Sequence, residues 1–173
     1  KDKKYYHIIG SIIWGLSINI GNHGVYLFPE FQLGNSYKAD YLLVGKSSRG
    51  YEFIFIELES PYGNITLKDG QLGAEFRDGI SQLEDWKRWL PANYSSFGEI
   101  MRKHKNSARD LPEEFYILDM SRFHYVVISG RRSDFQDKTY IIKRERKKAD
   151  DIDIIHYDNL YDFSNNLIGK LTY

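Results

Sequence analysis

The clearest pattern in the chain is a pair of hydrophobic runs separated by a short polar segment. Residues 41–44 are apolar, and residues 51–58 are rich in aromatic and β-branched side chains, a composition typical of strands. The segment between them, residues 45–50, begins and ends with glycine and predicts a loop. The two runs therefore predict a β-hairpin, which we expect Pro61 to end because proline cannot donate a hydrogen bond to a neighbouring strand.

A helical pattern follows the hairpin, after a polar loop at residues 64–73. Hydrophobic side chains recur there at intervals of three and four residues, which is the spacing of one helical face. Pro91 is expected to close this helix. The residues of the predicted face are Phe76, Ile80, Leu83, Trp86 and Leu90.

The remaining segments predict a mixture of strands and helices. We expect further strands at residues 25–28 (ended by Pro29), 115–118, 125–128 and 152–156. Helices are predicted at residues 97–105 and 139–149, and a terminal helix or turn at residues 157–167. Residues 1–28 are the least clear part: their first section does not distinguish helix from strand, and residues 22–24 predict a turn. Strands mixed with packing helices in one chain of 173 residues predict a single α/β or α+β domain.

Composition narrows the class of protein. The chain has no cysteine, which excludes disulfide scaffolds, thiol nucleophiles and thiolate zinc sites. Its formal net charge is +0, which argues against a domain that holds duplex DNA by charge alone. Two blocks, residues 102–105 and 143–148, are strongly basic, although such runs are usually solvated helix faces.

The ends of the chain carry no recognisable targeting signal. The most apolar stretch near the N-terminus, residues 8–20, is interrupted by Gly, Ser and Asn, and it is too short to span a bilayer. We therefore expect a soluble, cytoplasmic protein without a membrane partner. Because the chain begins with Lys1 rather than Met, we expect residues 1–173 to be one domain excised from a longer protein.

Three acidic residues are placed to meet at one end of the predicted hairpin. Glu57 and Glu59 are two residues apart on a strand and therefore point to the same face, and Asp40 opens the partner strand. Neighbouring carboxylates on a mostly buried strand are costly unless a cation lies between them. Oxygen ligands without Cys or clustered His favour Mg²⁺ or Mn²⁺, ions that polarise phosphoryl groups. Spacing alone leaves open the alternative that the acids are solvated and inert.

Several short motifs, taken in their order along the chain, resemble one known family. They are Ala39-Asp40-Tyr41-Leu42-Leu43, Ile56-Glu57-Leu58-Glu59-Ser60-Pro61 with Leu67-Lys68-Asp69-Gly70, Ile80-Ser81-Gln82-Leu83-Glu84-Asp85-Trp86 with Trp89 and Asn93, Ile128-Ser129-Gly130-Arg131-Arg132, and Tyr157-Asp158-Asn159-Leu160. This order resembles the C-terminal nuclease domain of the Shedu family of bacterial antiphage-defence nucleases, within the PD-(D/E)XK superfamily. The resemblance extends from about residue 29 to residue 160.

The resemblance implies a fold and an activity. The fold would be the restriction-endonuclease-like α/β fold, a mixed sheet flanked by helices. The activity would be that of a Mg²⁺- or Mn²⁺-dependent endodeoxyribonuclease that acts on phage or plasmid DNA. Members of the family assemble as homo-oligomers and carry separate sensing domains, so we expect both here.

The resemblance also implies roles for four residues near the predicted metal site. Asp40 and Glu57 would hold one or two metal ions. Glu59 stands where most superfamily members have Lys, so it would be a third metal ligand or the general base. Gln82 would brace the metal site or a phosphate. The alternative for Gln82 is a solvated residue at the border of its helix.

Three basic residues are candidate DNA contacts. Arg131 and Arg132 follow a predicted strand, where the sites of open sheets gather, and a guanidinium matches the geometry of a phosphate. Lys68, in the loop before the first helix, is a candidate substitute for the missing motif lysine. The alternative for all three is an ordinary surface position.

The sequence is also compatible with a second function. The neutral net charge and Glu59 in the lysine position also fit a catalytically inactive nucleic-acid-binding or assembly module on the same fold.

Overall fold

A mixed β-sheet forms the centre of the protein in the computed structural model, which describes residues 25–105, 107–108 and 110–167. The predicted turn at residues 22–24 and the ambiguous segment before it lie outside the described residues. The described part contains five strands and four α-helices; three strands come first, and helices connect or follow the later strands. The strands are β1 (Val25–Leu33), β2 (Tyr37–Ser47), β3 (Gly50–Leu58), β4 (Phe123–Ile128) and β5 (Ile152–Ile155). The helices are α1 (Ala74–Ala92), α2 (Tyr94–His104), α3 (Asp137–Asp150) and α4 (Tyr157–Leu167).

The five strands lie side by side in sequence order. β1, β2 and β3 pair antiparallel, whereas β4 pairs parallel to β3 and β5 parallel to β4. Parallel neighbours need a crossover connection. α1 and α2 form the crossover from β3 to β4, and α3 forms the one from β4 to β5. The expected α/β fold, a mixed sheet flanked by helices as in restriction endonucleases, is confirmed.

The sheet separates two hydrophobic clusters. Phe53 and Phe55 of β3 point into the larger cluster, which α1 and α2 cover. Ile54 and Ile56 point into the smaller cluster on the opposite face. The predicted alternation of β3 is therefore confirmed, and residues 57 and 59 continue the series that faces the larger cluster.

The helices agree closely with the periodic pattern. All five residues of the predicted helical face of α1 are buried. Pro91 lies in the last turn of α1, whose end at Ala92 agrees with the expected stop. α2, α3 and α4 also form where helices were expected. None of the described helices is long and apolar enough to cross a membrane.

Three details of the strand prediction were wrong. The hairpin loop is shorter than expected, because β2 continues to Ser47 and only two residues separate it from β3. β1 does not stop at Pro29, since β1 is at the edge of the sheet that the described residues form, and an edge tolerates a proline. The segment at residues 115–118 is not a strand. Its first half belongs to a 3₁₀ turn, Glu113–Tyr116, which inserts Phe115 among the rings of the larger cluster.

At one point along β1 and β2, the face of the two strands that packs on the larger cluster changes. In β1 the buried residues Phe28 and Phe31 are three positions apart instead of two. In β2, Ala39 and Leu42 show the same interval, and the two strands stay in register across it. The backbone of Glu30, with φ of 48°, lies in the left-handed region here. The local twist of these two paired strands sets the direction of the Asp40 side chain.

Candidate functional site

Asp40 lies at this twist, within β2, and its side chain joins β2 to the end of β3. The last paired residues of the two strands are Tyr41 and Ile56. Beyond them, the backbone N–H of Leu58 donates a hydrogen bond of 2.8 Å to Asp40 Oδ2. A side chain thus replaces the next step of the ladder and holds the Asp40 carboxylate beside Glu57. Asp40 thus lies opposite the acids of β3 as predicted, but it does not open its strand, because β2 begins at Tyr37.

Glu57 is the buried member of the acidic set, with 8% of its surface exposed. Its Oε2 atom is buried and has no hydrogen-bond partner. Burial raises the pKa of Glu57 to about 8, and the charges of Asp40 and then Glu59 act in the same direction. Hydrogen bonds from the Gln82 side chain and the Asp40 backbone oppose the rise but do not cancel it. A buried oxygen without a partner is costly, so this carboxyl needs a proton or a cation.

Glu59 follows the last residue of β3, where its backbone is held from both sides. Its N–H donates to the carbonyl of Ile128 at 2.9 Å, and its carbonyl accepts a hydrogen bond of 2.8 Å from the Tyr157 hydroxyl. The side chain is half-buried and ends 3.5 Å from the Gln82 amide nitrogen. Burial raises the pKa of Glu59, followed by the charges of neighbouring acids.

Two of those neighbouring acids lie on α1 and were not predicted as site residues. Glu75 and Asp78 are the strongest charged influences on the Glu59 pKa after burial. Together with Gln82 they lie at intervals of three and four along the helix, so they share one face. That periodicity was visible in the sequence and could have identified them. Tyr157 was noted only as part of a motif, and its contact with the Glu59 carbonyl depends on the fold.

Gly79 lets α1 approach the acidic strand closely. A Cβ atom at this position would lie 2.6 Å from Val127 Cγ2 and 2.9 Å from Glu59 Cγ. Such distances are far below van der Waals contact, so any side chain would displace Glu59 or the helix. The lack of a side chain at Gly79 therefore sets the distance between β3 and the face of α1 that carries Gln82.

The donor set fits a magnesium or manganese ion in its chemistry. Among the described residues, no group of three or more His, Asp or Glu side chains forms a complete metal-holding cluster. Mg²⁺ does not require one, because it usually takes one or two protein carboxylates and completes its shell with water and substrate oxygens. Asp40 and Glu57, with the unpartnered Oε2 of the latter, are the residues that would hold such an ion.

Arg131 and Arg132 follow β4 as predicted, but both have carboxylate partners. Arg131 binds Asp158 through two hydrogen bonds of 3.0 and 2.5 Å. The backbone N–H of Arg132 donates to the same carboxylate at 2.7 Å, and its side chain pairs with Asp162. The Arg131 guanidinium holds the pKa of Asp158 well below its usual range. We name this cluster of four residues the arginine clasp.

Lys68 lies in an exposed turn between β3 and α1. The turn is fixed to the start of α3, where the Thr139 hydroxyl donates to the Gly70 carbonyl at 2.9 Å and the Gln136 amide donates to the Leu67 carbonyl at 3.2 Å. The role of Lys68 as a substitute for the missing motif lysine stays a prediction.

The basic run of residues 143–148 is partly neutralised. Arg146 pairs with Glu84 and Asp150, and Lys147 pairs with Asp151 and Asp153. Arg146 and Lys147 therefore belong to an ordinary helix surface, as expected for such a charged run.

Comparison with known protein families gives one match that covers nearly the whole chain. The family model described as "Shedu protein SduA, C-terminal" matches residues 3–161. Comparison with curated proteins found no match. The matched region includes all the acids of the site, Gln82 and the arginine clasp except Asp162.

Proposed function

Because the chain belongs to the Shedu SduA C-terminal family, we propose that it is a Mg²⁺- or Mn²⁺-dependent endonuclease that hydrolyses phage or plasmid DNA. Membership of this family associates the chain with antiphage defence. The metal, the DNA substrate and the residue roles are our proposal. We also propose, from the family, that the active form is a homo-oligomer with a sensing domain elsewhere in the full protein, and that it acts in the cytoplasm.

The observation that carries the proposal is the unpartnered carboxyl oxygen of Glu57. A structural glutamate at the end of a strand would be solvated or hydrogen-bonded, whereas this one is buried with Oε2 unpartnered beside Asp40 and Glu59. The arrangement raises the free energy of the ionised, metal-free state. A bound divalent cation would remove that penalty.

The charge of the site supports the same conclusion. Beside burial, Asp40 and Glu59 raise the pKa of Glu57, and Glu75, Asp78 and Asp40 raise that of Glu59. None of these five acids forms an ion pair within the described part of the chain. Such a cluster repels a DNA phosphate. An acidic site that acts on a phosphodiester therefore needs a cation between the carboxylates and the substrate.

We assign the following roles to the residues of the site. Asp40 and Glu57 would hold the ion, which when bound polarises the phosphoryl group and makes a nearby water more acidic. Glu59 accepts the proton of the attacking water, and its raised pKa makes it a stronger base than an ordinary carboxylate. The water oxygen bonds to phosphorus while one phosphorus–ester bond breaks, and the leaving oxygen takes a proton from solvent. Gln82 holds the two glutamates in place through its amide.

Arg131 and Arg132 would contact the DNA backbone with the N–H groups that Asp158 and Asp162 leave free. Each guanidinium has five N–H donors, and the clasp uses only part of them. Lys68 would add a further phosphate contact from its exposed turn.

The rival function is a catalytically inactive module that binds nucleic acid or mediates assembly. It is favoured by Glu59 in the usual lysine position and by the incomplete metal cluster. The two functions differ in whether the protein cuts DNA at all.

Plasmid cleavage distinguishes them. The wild-type protein should nick or cut supercoiled plasmid with Mg²⁺ or Mn²⁺ and be inactive in EDTA. Glu57→Gln and Asp40→Ala should lower the rate by orders of magnitude, while Glu99→Gln, an exposed acid on α2, should match the wild type. Circular dichroism confirms that each variant is folded. Cleavage by Glu57→Gln at the wild-type rate would refute the site assignment, and no cleavage by the wild type under any metal would favour the rival.

A further inference from the structure

The loop that follows Glu59 has a fixed backbone. The carbonyl of Ser60 accepts hydrogen bonds from the Gly130 N–H at 3.0 Å and from the Ser129 hydroxyl at 3.2 Å. The Ser60 hydroxyl accepts from the Tyr62 N–H at 3.1 Å and donates to the Tyr62 carbonyl at 2.5 Å. These contacts hold the Tyr62 backbone in one position at the end of the acidic strand.

The same loop lies against the acidic site. A Cβ atom on Gly63 would lie 3.3 Å from Glu75 Oε1, so the backbone passes directly over that carboxylate. After burial, Glu75 is also the largest influence on the pKa of Glu59. Tyr62 is therefore at the rim of the site, between the acids and the arginine clasp.

The Tyr62 ring lies beside the arginine clasp and is open to solvent. Asp158 raises the pKa of Arg131 most, and the Tyr62 side chain adds a smaller rise, so this ring lies near a guanidinium that Asp158 holds. The side chain is nevertheless 69% exposed, and within the described part of the chain no other ring stacks on it. A tyrosine side chain has few rotatable bonds, so it loses little conformational freedom when it binds a flat partner.

We propose that Tyr62 stacks on a nucleobase next to the phosphodiester bond that the site cleaves. A base inside a duplex has both faces covered by its neighbours, so the ring can stack only on a base that has left the helix. The preferred substrate class is consequently DNA with unpaired bases at the cleavage position, such as single strands, frayed ends or mismatched stretches. This inference rests on the proposed function, since it assigns the substrate class of the same site.

Because carboxylates partly neutralise the arginines of the clasp, the rim of the site offers DNA an aromatic ring more than a positive charge. Arg131 directs two of its donors at Asp158, so part of its charge is neutralised close to the Tyr62 ring. Stacking of this kind depends little on the identity of the base, because every base has a π-face.

Binding of labelled oligonucleotides to the full chain tests the stacking role. Fluorescence anisotropy in Ca²⁺, which we expect not to support cleavage, would compare a single strand with the matching duplex. Tyr62→Ala should weaken binding to the single strand by about 5- to 150-fold and change duplex binding far less. Tyr62→Phe and Tyr62→Trp should keep most of the single-strand affinity. Tyr161→Ala is the matched control, because Tyr161 on α4 is also 69% exposed.

Each contrary outcome has a distinct meaning. Wild-type binding that favours the duplex, single-strand binding unaffected by Tyr62→Ala, or an equal loss on both DNAs would overturn the stacking role. An equal effect of Tyr161→Ala would also overturn it. The plasmid assay tests the nuclease separately: a protein that binds single strands through Tyr62 yet cuts nothing refutes the proposed function and leaves the stacking role intact.

Discussion

Replacing Glu57 with Gln should stabilise the metal-free protein, and the gain should be largest at alkaline pH. The pKa of Glu57 is raised from 4.5 to about 8 in the folded protein. In the unfolded chain this carboxyl loses its proton near 4.5, whereas the folded protein retains it until about pH 8. The free energy of unfolding is therefore unaffected by Glu57 at low pH and falls as the pH rises between these two values.

The magnitude follows from the size of that interval. Each pH unit corresponds to about 1.4 kcal/mol, so the rise from 4.5 to about 8 amounts to about 5 kcal/mol at most. Coupling to Asp40 and Glu59 and solvent screening reduce the effect to a few kcal/mol. For a domain of this length, ~1 kcal/mol shifts the melting temperature by ~2–4 °C. Glu57→Gln should therefore melt about 5–10 °C higher than the wild type at the alkaline end.

Thermal unfolding in EDTA across the range from about pH 5 to about pH 9 measures this directly. The wild-type melting temperature should fall with rising pH, and the Glu57→Gln curve should be flatter. Glu99→Gln, on the exposed side of α2, should follow the wild type. Adding Mg²⁺ should raise the wild-type melting temperature most at alkaline pH and should affect Glu57→Gln little. Parallel curves for wild type and Glu57→Gln in EDTA would refute the reasoning about the buried carboxyl.

Three further predictions concern neighbouring parts of the site. Gly79→Ala should cost about 1–3 kcal/mol of stability and lower the cleavage rate, because the added Cβ displaces Glu59. Ser81→Ala, on the exposed side of α1, is the control, and a Gly79→Ala protein with the same melting temperature and cleavage rate as this control would contradict the prediction. Glu59→Gln should lower cleavage about 10²–10⁴-fold and Glu59→Lys should retain part of the activity, and a Glu59→Gln protein with full activity would exclude its role as base. Arg132→Ala should weaken binding to all DNA sequences and reduce the salt dependence by about one phosphate contact, whereas an unchanged slope would leave Arg132 only its pairing with Asp162.

The parts of the fold that sequence predicted well are those set by local periodicity. The hydrophobic spacing from Phe76 to Leu90 identified the buried face of α1 because a helix repeats every 3.6 residues whatever surrounds it. Alternation on β3 likewise placed Glu57 and Glu59 on one face. The hairpin then brought Asp40 to them, since short loops pair adjacent strands.

The parts that sequence predicted poorly depend on tertiary surroundings. Phe115 lies in an aromatic run that favours a strand, but its ring is buried from a 3₁₀ turn instead. Pro29 suggests a strand end only if its strand is not at the sheet edge. The carboxylate partners of Arg131 and Arg132 lie more than twenty residues further along the chain, so local spacing gives no indication of them.

An anomalous difference map from a crystal of the protein soaked in Mn²⁺ tests the central claim most directly. We predict a peak about 2–2.5 Å from carboxylate oxygens of both Asp40 and Glu57, with Glu57 Oε2 among the ligands. The same crystal form of Glu57→Gln should lose the peak. A map without density between Asp40 and Glu57, or with Mn²⁺ bound only at other acids, would contradict the assignment of this site as the metal centre of a nuclease.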